Sequence, residues 1–361
     1  MVEVATDCAV LNADDPIVLK MSGYTEAKNI CYVTMNPQHA LVREHIRAGG
    51  RACALEAGVN GQMITLYDRG SHIPLLWTHL IPATLEGRAT HNVQNAMFAA
   101  AMGFSLGMKL DAIRQGLRTF DSTFYQAPGR MNIFNEHPFK VLFDYGHNAH
   151  AVGMLADLAQ RLDVAGRRIV VLAGPGDRRD EDLVAIAKAV AGRFDHYVCR
   201  RDDNLRNRAP DEVPRIQAQA LRAAGVSDAL ISVIPDEQDA IDAALRMGEP
   251  GDLVLIFADA LVRSWKQITK FKPSGAAAQP AAHSAMTPSP ASPSFASPSP
   301  ANGNANGETT AGAATAKDKG AAAAAQRDLG AAAAAEAAAN FNLEGLIRDE
   351  RGIRMAPEGD D

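Results

Sequence analysis

The sequence predicts an α/β fold, and three observations support that prediction. From Met131 onward, short runs rich in β-branched and aromatic residues alternate with segments of helical periodicity, an order typical of a parallel sheet wrapped by helices. Polar clusters follow four of the predicted strands, at the carboxyl ends where such sheets bind ligands. The hydrophobic content of 47% is enough to bury a core in each of two domains.

The first domain is predicted over residues 1–128 and is the less regular of the two. Its predicted elements are a strand ending at Leu11, β-prone stretches at 51–55, 63–67 and 72–77, and helices over about 92–106 and 110–118. Because this region opens on one strand, it is expected to be the second half of a larger α/β unit, whose sheet edges would be bare in isolation.

The second domain is predicted over residues 129–272, with strands and helices in alternation. The predicted strands are 141–144, 169–173, 197–199, 230–233 and 253–257, and the predicted helices are 149–162, 180–192, 212–225, 236–247 and 261–270.

The composition changes sharply after Phe271. Residues 273–340 are dominated by Ala, Pro, Ser and Gly, which offer too little apolar surface to offset the entropy of ordering, so a disordered linker is predicted. Residues 341–361 regain apolar side chains and balanced charges. The sequence leaves open whether this C-terminal tail docks on the rest of the chain or is a free acidic tail.

Charge and hydropathy patterns exclude several classes of protein. The net charge of −6, with interspersed signs, argues against a nucleic-acid partner. No apolar run reaches the roughly 18 residues that span a bilayer, and the start resembles no signal peptide, so no membrane association and a cytoplasmic location are expected. The four cysteines are scattered without a C-x-x-C pair, which predicts reduced thiols and no metal site.

Two polar clusters in the first domain are candidate ligand sites. Asn12 and Asp15 close the first strand, where a helix N-cap is the alternative interpretation because a proline follows Asp15. His91, Asn92 and Asn95 are spaced so that they lie near one face of a first helical turn. Side-chain amides pair bidentately with adenine edges, so this face predicts a nucleotide contact.

The second domain adds polar residues at its start and at its first strand end. Arg130 follows a Pro-Gly turn and could reach a phosphate with its five guanidinium donors. Asp144 stands at a strand end and is followed by His147 and Asn148 in a polar turn before a helix. A carboxylate there could hold ribose hydroxyls, and Arg130, Asp144 and His147 are the candidate catalytic residues.

Four segments, in their order and spacing, resemble the Mur ligase superfamily: Asn12–Pro16, His91–Asn95, Gly129-Arg130 and Asp144–Asn148. Enzymes of this superfamily use ATP to activate a carboxylate as an acyl phosphate, which an amine then attacks. The resemblance implies part of a Mur ligase central domain followed by a Rossmann-like Mur ligase C-terminal domain.

The resemblance also implies roles for individual residues. Adenine and ribose would be contacted by Asn12, Asp15, His91, Asn92 and Asn95, and phosphate by Arg130. Asp144 would bind ribose or the metal shell of the phosphates, with His147 and Asn148 beside it. The implied cofactors of the complete enzyme are ATP and Mg²⁺.

One departure from the superfamily concerns the phosphate-binding loop. The pattern G-x-x-x-x-G-K-[ST] occurs nowhere in the chain. In the superfamily, the phosphate-binding lysine and the Mg²⁺ ligands precede the segments found here. The chain is therefore expected to be the C-terminal portion of a larger, homo-oligomeric synthetase, dependent on an upstream synthetase portion and inactive alone.

Within the superfamily, five segments are most similar to a ligase that joins arginine to the side chains of a poly-aspartate backbone. They are Asp144–Asn148, Leu172–Arg179, Phe257–Asp259, Arg263–Trp265 and Arg348–Arg354. On that resemblance, arginine and the poly-aspartate primer would be bound by two polar loops through Asp177, Arg178, Arg179, Asp203, Asn204 and Arg206. For the polar run that begins at Arg200, a solvated loop is the alternative. Two other functions stay open: a folylpolyglutamate or peptidoglycan-precursor ligase, and a non-catalytic module for nucleotide binding or assembly.

Overall fold

Two large β-sheets carry the architecture, one in each predicted domain. The computed structural model describes residues 2–273 and 345–357. The predicted disordered linker, apart from Pro273, lies outside the described residues.

The first sheet consists of β1 (Cys8–Asn12), β2 (Asn29–Thr34), β3 (Arg51–Gly58), β4 (Gly61–Asp68) and β5 (Ser71–Trp77), hydrogen-bonded in that order. The first three strands are parallel, and β3, β4 and β5 form an antiparallel meander. Residues Cys53 and Leu66 point from this sheet into a buried apolar core.

Four helices accompany the first sheet: α1 (Pro16–Lys20), α2 (Ala40–Arg47), α3 (Thr90–Ser105) and α4 (Leu110–Thr119). Val93 and Met97 of α3 and Ile113 of α4 enter the same core as the sheet residues. α3 starts two residues earlier than predicted, so His91 lies in its first turn.

The second sheet consists of β6 (Asn132–Phe134), β7 (Lys140–Asp144), β8 (Arg168–Leu172), β9 (His196–Cys199), β10 (Ile231–Val233) and β11 (Leu253–Phe257). Their spatial order is β10-β9-β8-β11-β7-β6. All neighbours are parallel except β6, which pairs antiparallel with β7 at the edge. The predicted parallel sheet is confirmed.

Helices cover both faces of the second sheet: α5 (Ala149–Arg161), α6 (Asp180–Val190), α7 (Glu212–Ala223), α8 (Glu237–Met247) and α9 (Leu261–Lys270). Leu142 of β7 packs with the core that includes α5, α6 and α7, whereas its neighbour Phe143 packs with the core that includes α8 and α9. Burial on both faces explains why these strands are almost continuously apolar.

The tail contributes a hairpin, β12 (Leu346–Asp349) and β13 (Gly352–Met355), which packs against α2. The tail therefore docks, at least over residues 345–357. Three other elements, β2, α2 and β6, were not predicted. Within the described residues, no helix has the length and apolar character needed to cross a bilayer.

Candidate functional site

Polar side chains from both predicted domains meet at one cavity of about 770 Å³. His91, Asn92 and Asn95 line it from the first turn of α3, and Arg130 and Asp144 line it from the turn before β6 and the end of β7. Much of the remaining lining is apolar and comes from α3, α4 and α5. A largely apolar cleft with a few convergent polar groups is typical of a small-ligand site.

The amides of the first turn of α3 are oriented by local hydrogen bonds. Asn92 donates its Nδ2 to the carbonyl of Ala83 at 2.7 Å, and its Oδ1 accepts from Asn95 Nδ2 at 3.2 Å. Asn95 is exposed, and its Oδ1 makes no hydrogen bond within the described part of the chain. The Asn95 amide is therefore the more available of the two for a ligand.

One ring nitrogen of His91, Nδ1, is buried without a hydrogen-bond partner among the described residues. Burial, and to a lesser extent the nearby Arg161, lowers the pKa of His91 below its usual value, so the neutral imidazole is favoured. An unpartnered buried polar atom costs about 1–3 kcal/mol, so His91 is held in place at some expense of stability.

The turn that presents Arg130 is fixed on both sides. Gly129 and Met131 have φ angles of 69° and 51°, in the left-handed region that a methionine rarely adopts. Asn132 Oδ1 accepts from the N–H of Gly129 at 2.7 Å, and Asp144 Oδ2 accepts from the N–H of Met131 at 2.7 Å. Arg130 is exposed between them, and its guanidinium makes no hydrogen bond or ion pair within residues 2–273 and 345–357.

The first role of Asp144 is to stabilise this turn through backbone hydrogen bonds. Its second oxygen, Oδ1, accepts from the N–H of Gly146 at 2.7 Å, and the side chain is only 6% exposed. Burial raises the pKa of Asp144, although the backbone hydrogen bonds and Arg130 oppose the shift. Each carboxylate oxygen retains a second acceptor position, so a ligand hydroxyl could still bind it.

A second cavity, of about 500 Å³, lies beside the same strand end. Its lining includes His147 and Asn148 from the turn after β7, and Arg178, Arg179 and Asp182 from the start of α6. Asn148 caps α5, and Arg179 pairs with Asp182 at 3.0 Å. The candidate residues at the end of β7 are thus divided, because His147 and Asn148 line the second cavity and Asp144 lines the first.

The two predicted substrate loops, after β8 and after β9, are joined to each other. Asp177 forms an ion pair with Arg206, and Arg208 donates to the carbonyl of Arg178 at 2.7 Å. Asn204 Oδ1 accepts from the N–H of Arg206 at 3.1 Å. The two loops therefore act as one polar rim.

Sequence reasoning missed a buried ion pair below this rim. Arg200 and Glu237 are both fully buried, with Nη1 and Oε2 2.8 Å apart. Arg200 also donates to the carbonyl of Phe257 at 2.8 Å, and Glu237 accepts from the N–H of Asp259 at 2.9 Å. The pair ties the ends of β9 and β11 to the start of α8, so the solvated-loop alternative is wrong for Arg200.

The acidic residues that follow Arg200 differ in their surroundings. Asp202 is buried, and burial raises its pKa although Arg200 opposes the shift. Asp203 is exposed and pairs with Arg263 of α9 at 2.7 Å. The Asp203 carboxylate therefore lies at the rim, where it is already paired with one guanidinium group of the protein.

Asn12 and Asp15 lie apart from both cavities. Asp15 Oδ1 accepts from the N–H groups of Ile17 at 2.8 Å and Val18 at 3.2 Å, which is the geometry of an N-cap. Asn12 Oδ1 accepts from the N–H of Asp14 at 3.1 Å. Neither residue lines either cavity, so their contact with a nucleotide remains a prediction.

The first cavity offers the Asn95 amide and the Arg130 guanidinium, which has no hydrogen bond or ion pair within residues 2–273 and 345–357. By contrast, among residues 2–273 and 345–357, no three His, Cys, Asp or Glu side chains are grouped so that they could hold a metal ion.

Comparison with known proteins relates the chain to a family of ligases. Residues 129–260 match the family described as Mur ligase, glutamate ligase domain. The chain is 40% identical over 271 residues to the cyanophycin synthetase of Trichormus variabilis and 34% identical over 267 residues to that of Synechocystis. These matches cover 72% and 74% of this chain but only 28% and 30% of the relatives. The chain therefore spans less than a third of their length.

Two ligases of other kinds share less identity with this chain. A UDP-N-acetylmuramoyl-L-alanyl-D-glutamate–2,6-diaminopimelate ligase of Solibacter usitatus is 26% identical over 249 residues, which are 69% of this chain and 45% of the relative. A folylpolyglutamate synthase structure from Mycobacterium tuberculosis shares 20% identity over 74% of this chain and 64% of its own, with a TM-score of 0.45. The chain therefore carries a Mur ligase glutamate ligase domain and is a relative of the cyanophycin synthetases.

Proposed function

We propose that this chain supplies the nucleotide-binding and arginine-handling part of an ATP-dependent ligase, which joins arginine to aspartate side chains of a poly-aspartate backbone. The observation that carries the proposal is the first cavity, where His91, Asn92 and Asn95 of α3 meet Arg130 and Asp144. The higher identity to cyanophycin synthetases than to the diaminopimelate ligase supports the choice of substrate.

In this proposal, the residues of the first cavity bind and orient the nucleotide. Bound ATP supplies the phosphoryl group that activates a substrate carboxylate. The Asn95 amide holds the adenine edge, and Arg130 neutralises phosphate charge. Asp144 keeps the Arg130 turn in place and accepts a ribose hydroxyl. Catalysis of phosphoryl transfer depends largely on such positioning and charge neutralisation.

The second cavity and its rim are the proposed site for arginine and the primer. Arg178 and Arg179, which line the second cavity, would pair with primer carboxylates. Asp203, in the loop after β9, would bind the arginine guanidinium. His147 lies at the edge of this cavity, where it could hold the incoming amine. Because the rim contacts would be similar in ground and transition states, Asp203→Ala with Arg206→Ala should raise KM more than it lowers kcat.

The phosphate-binding lysine and the Mg²⁺ ligands are proposed to come from an upstream synthetase portion. The chain contains no G-x-x-x-x-G-K-[ST] pattern, and no three His, Cys, Asp or Glu side chains are grouped for a metal ion among its described residues. We therefore propose that the chain alone does not turn over ATP. The complete enzyme would act in the cytoplasm as a homo-oligomer.

Arginine incorporation tests this function. The chain is assayed with ATP, Mg²⁺, labelled arginine and a poly-aspartate primer, alone and together with the preceding portion of a cyanophycin synthetase. We expect no phosphate release by the chain alone and arginine incorporation by the mixture. Arg130→Ala in the mixture should abolish incorporation, whereas aspartate addition by the upstream portion should continue.

Amine competitors separate this reading from the alternatives. Glutamate and diaminopimelate replace arginine in parallel assays of the same mixture. Consumption of either amine in preference to arginine would assign the chain to another kind of Mur-type ligase. Incorporation that survives Arg130→Ala would contradict the placement of the phosphate.

A further inference from the structure

The C-terminal hairpin docks on a surface that fits it closely. Ile353 of β13 donates its N–H to His45 Nδ1 of α2 at 3.0 Å, and Met355 donates its N–H to Ser22 Oγ at 3.0 Å. Both His45 and Ser22 are fully buried. Ser22 lies in the short helical segment that follows α1, so the hairpin bridges two separate parts of the first sheet region.

His45 is the centre of this surface. The carbonyl of Ile30 lies 3.1 Å from Nε2 and can only accept, so Nε2 carries a proton, and in the neutral ring Nδ1 accepts from the N–H of Ile353. The Tyr32 ring packs edge-on against the imidazole, with centroids 4.7 Å apart. Gly352 has a φ of 111°, and a Cβ at that position would overlap the imidazole ring. Gly352 is thus required by both its backbone and its contact.

Two arginines of the hairpin reach carbonyl groups of the same surface. Arg351 donates to the carbonyl of Thr25 at 2.9 Å, and Arg354 donates to the carbonyl of Gly23 at 3.4 Å. Asp349 holds both guanidinium groups, at 2.7 Å and 2.9 Å. Although burial opposes the shift, these hydrogen bonds lower the pKa of Asp349 to about 2. The carboxylate therefore orients both arginines toward this surface.

We infer that residues 345–357 are a docking segment that binds the surface formed by residues 22–27 and His45 through its own contacts, without needing its covalent connection through residues 274–344. The hydrogen bonds and the contact of Gly352 with the buried His45 imidazole all involve residues of this segment. The docked hairpin also contacts Ser22, Gly23 and Thr25, in the segment that follows α1.

Cutting the connection tests this inference in the complete chain. A recognition sequence for a specific protease is placed between residues 274 and 340, the purified protein is cut, and the products are separated by size-exclusion chromatography at micromolar concentration. Mass spectrometry identifies the C-terminal fragment in the main peak. We expect the fragment to co-elute with the rest of the chain, and elution of the wild-type fragment by itself would overturn the inference.

A variant within the fragment keeps the test independent of folding elsewhere. Gly352→Ala places a methyl group against His45 and should weaken retention of the fragment at least tenfold. Glu350→Gln is the matched control, because Glu350 is exposed in the turn between β12 and β13 and makes no ion pair within the described residues. Retention of the Gly352→Ala fragment at the control level would show that this docking surface is wrongly assigned.

Discussion

The ends of β7 and β9 lie at the same edge of one sheet, yet the polar groups beside them differ in their partners. Beside the end of β7, Arg130 of the turn before β6 is exposed and lines a cavity together with Asn92 and Asn95 of α3. At the end of β9, Arg200 is fully buried and satisfied by Glu237 and the Phe257 carbonyl. A cluster of charges therefore does not by itself identify a ligand site. A ligand site is better indicated by polar groups that line a cavity and have no partner within the protein.

The difference predicts that the two ends respond to different measurements. Variants at the β9 end should change the free energy of unfolding, because their contacts lie within the protein. Variants of Arg130 and Asn95, beside the end of β7, should change ligand affinity, because the ligand is proposed to supply their partners.

The largest expected effect is on stability. Glu237→Ala leaves Arg200 buried without its carboxylate and should lower the free energy of unfolding by about 3–5 kcal/mol. Urea unfolding followed by circular dichroism measures the change. Asp242→Ala, which breaks the exposed pair of Asp242 with Arg246, is the control and should leave the midpoint almost unchanged. Equal effects would erase the proposed contrast.

The next effect is on nucleotide affinity. Arg130→Ala should weaken ATP binding at least tenfold, since a charge-assisted hydrogen bond to phosphate is lost, and should leave the urea midpoint unchanged. Calorimetric titration with ATP gives the affinity. Arg215→Ala is a control, because Arg215 lies on α7 and lines neither cavity. A loss of stability without a loss of affinity would make Arg130 structural.

A smaller effect should separate the base from the phosphates. Asn95→Ala should weaken ATP binding by about tenfold and GTP binding by less, because the amide is proposed to read the adenine edge. The same titrations with both nucleotides measure the ratio. An equal loss for ATP and GTP would remove the assignment of Asn95 to the base.

The smallest effect concerns pH. Burial lowers the folded-state pKa of His91, so the unfolded chain binds more protons than the folded chain between that pKa and about 6.5. The stability provided by neutral His91 is present above pH 6.5 and is lost as the pH falls toward the folded pKa. Urea unfolding at pH 7.5 and 5.5 should show a smaller loss for His91→Gln than for the wild type. Equal losses would contradict burial of the ring.

Much of the second domain could be predicted from the sequence, because each strand is a short apolar run bounded by turn residues. The strand at 253–257 and the helix at 261–270 lie where the pattern put them. The three-residue strand β6 is too short to show a period. The docked tail could not be predicted, since its partners are some 300 residues away in sequence.

The candidate site was predictable in part, where its residues are close together in sequence. His91, Asn92 and Asn95 share a helical turn, so their spacing alone places them together. Glu237 could not be found in this way, because one acidic residue at a helix start looks like an ordinary helix beginning. Its pairing with Arg200 depends on the packing of two strand ends.

Hydrogen exchange in the presence of ATP tests the central claim most directly. The complete chain is exposed to deuterated buffer with and without millimolar ATP, and peptide masses report protection. The account predicts protection of residues 89–97 and 127–146, which line the first cavity, and no change at residues 200–206. Protection confined to residues 147–149 and 178–186, or no protection at all, would contradict the assignment of the first cavity to the nucleotide.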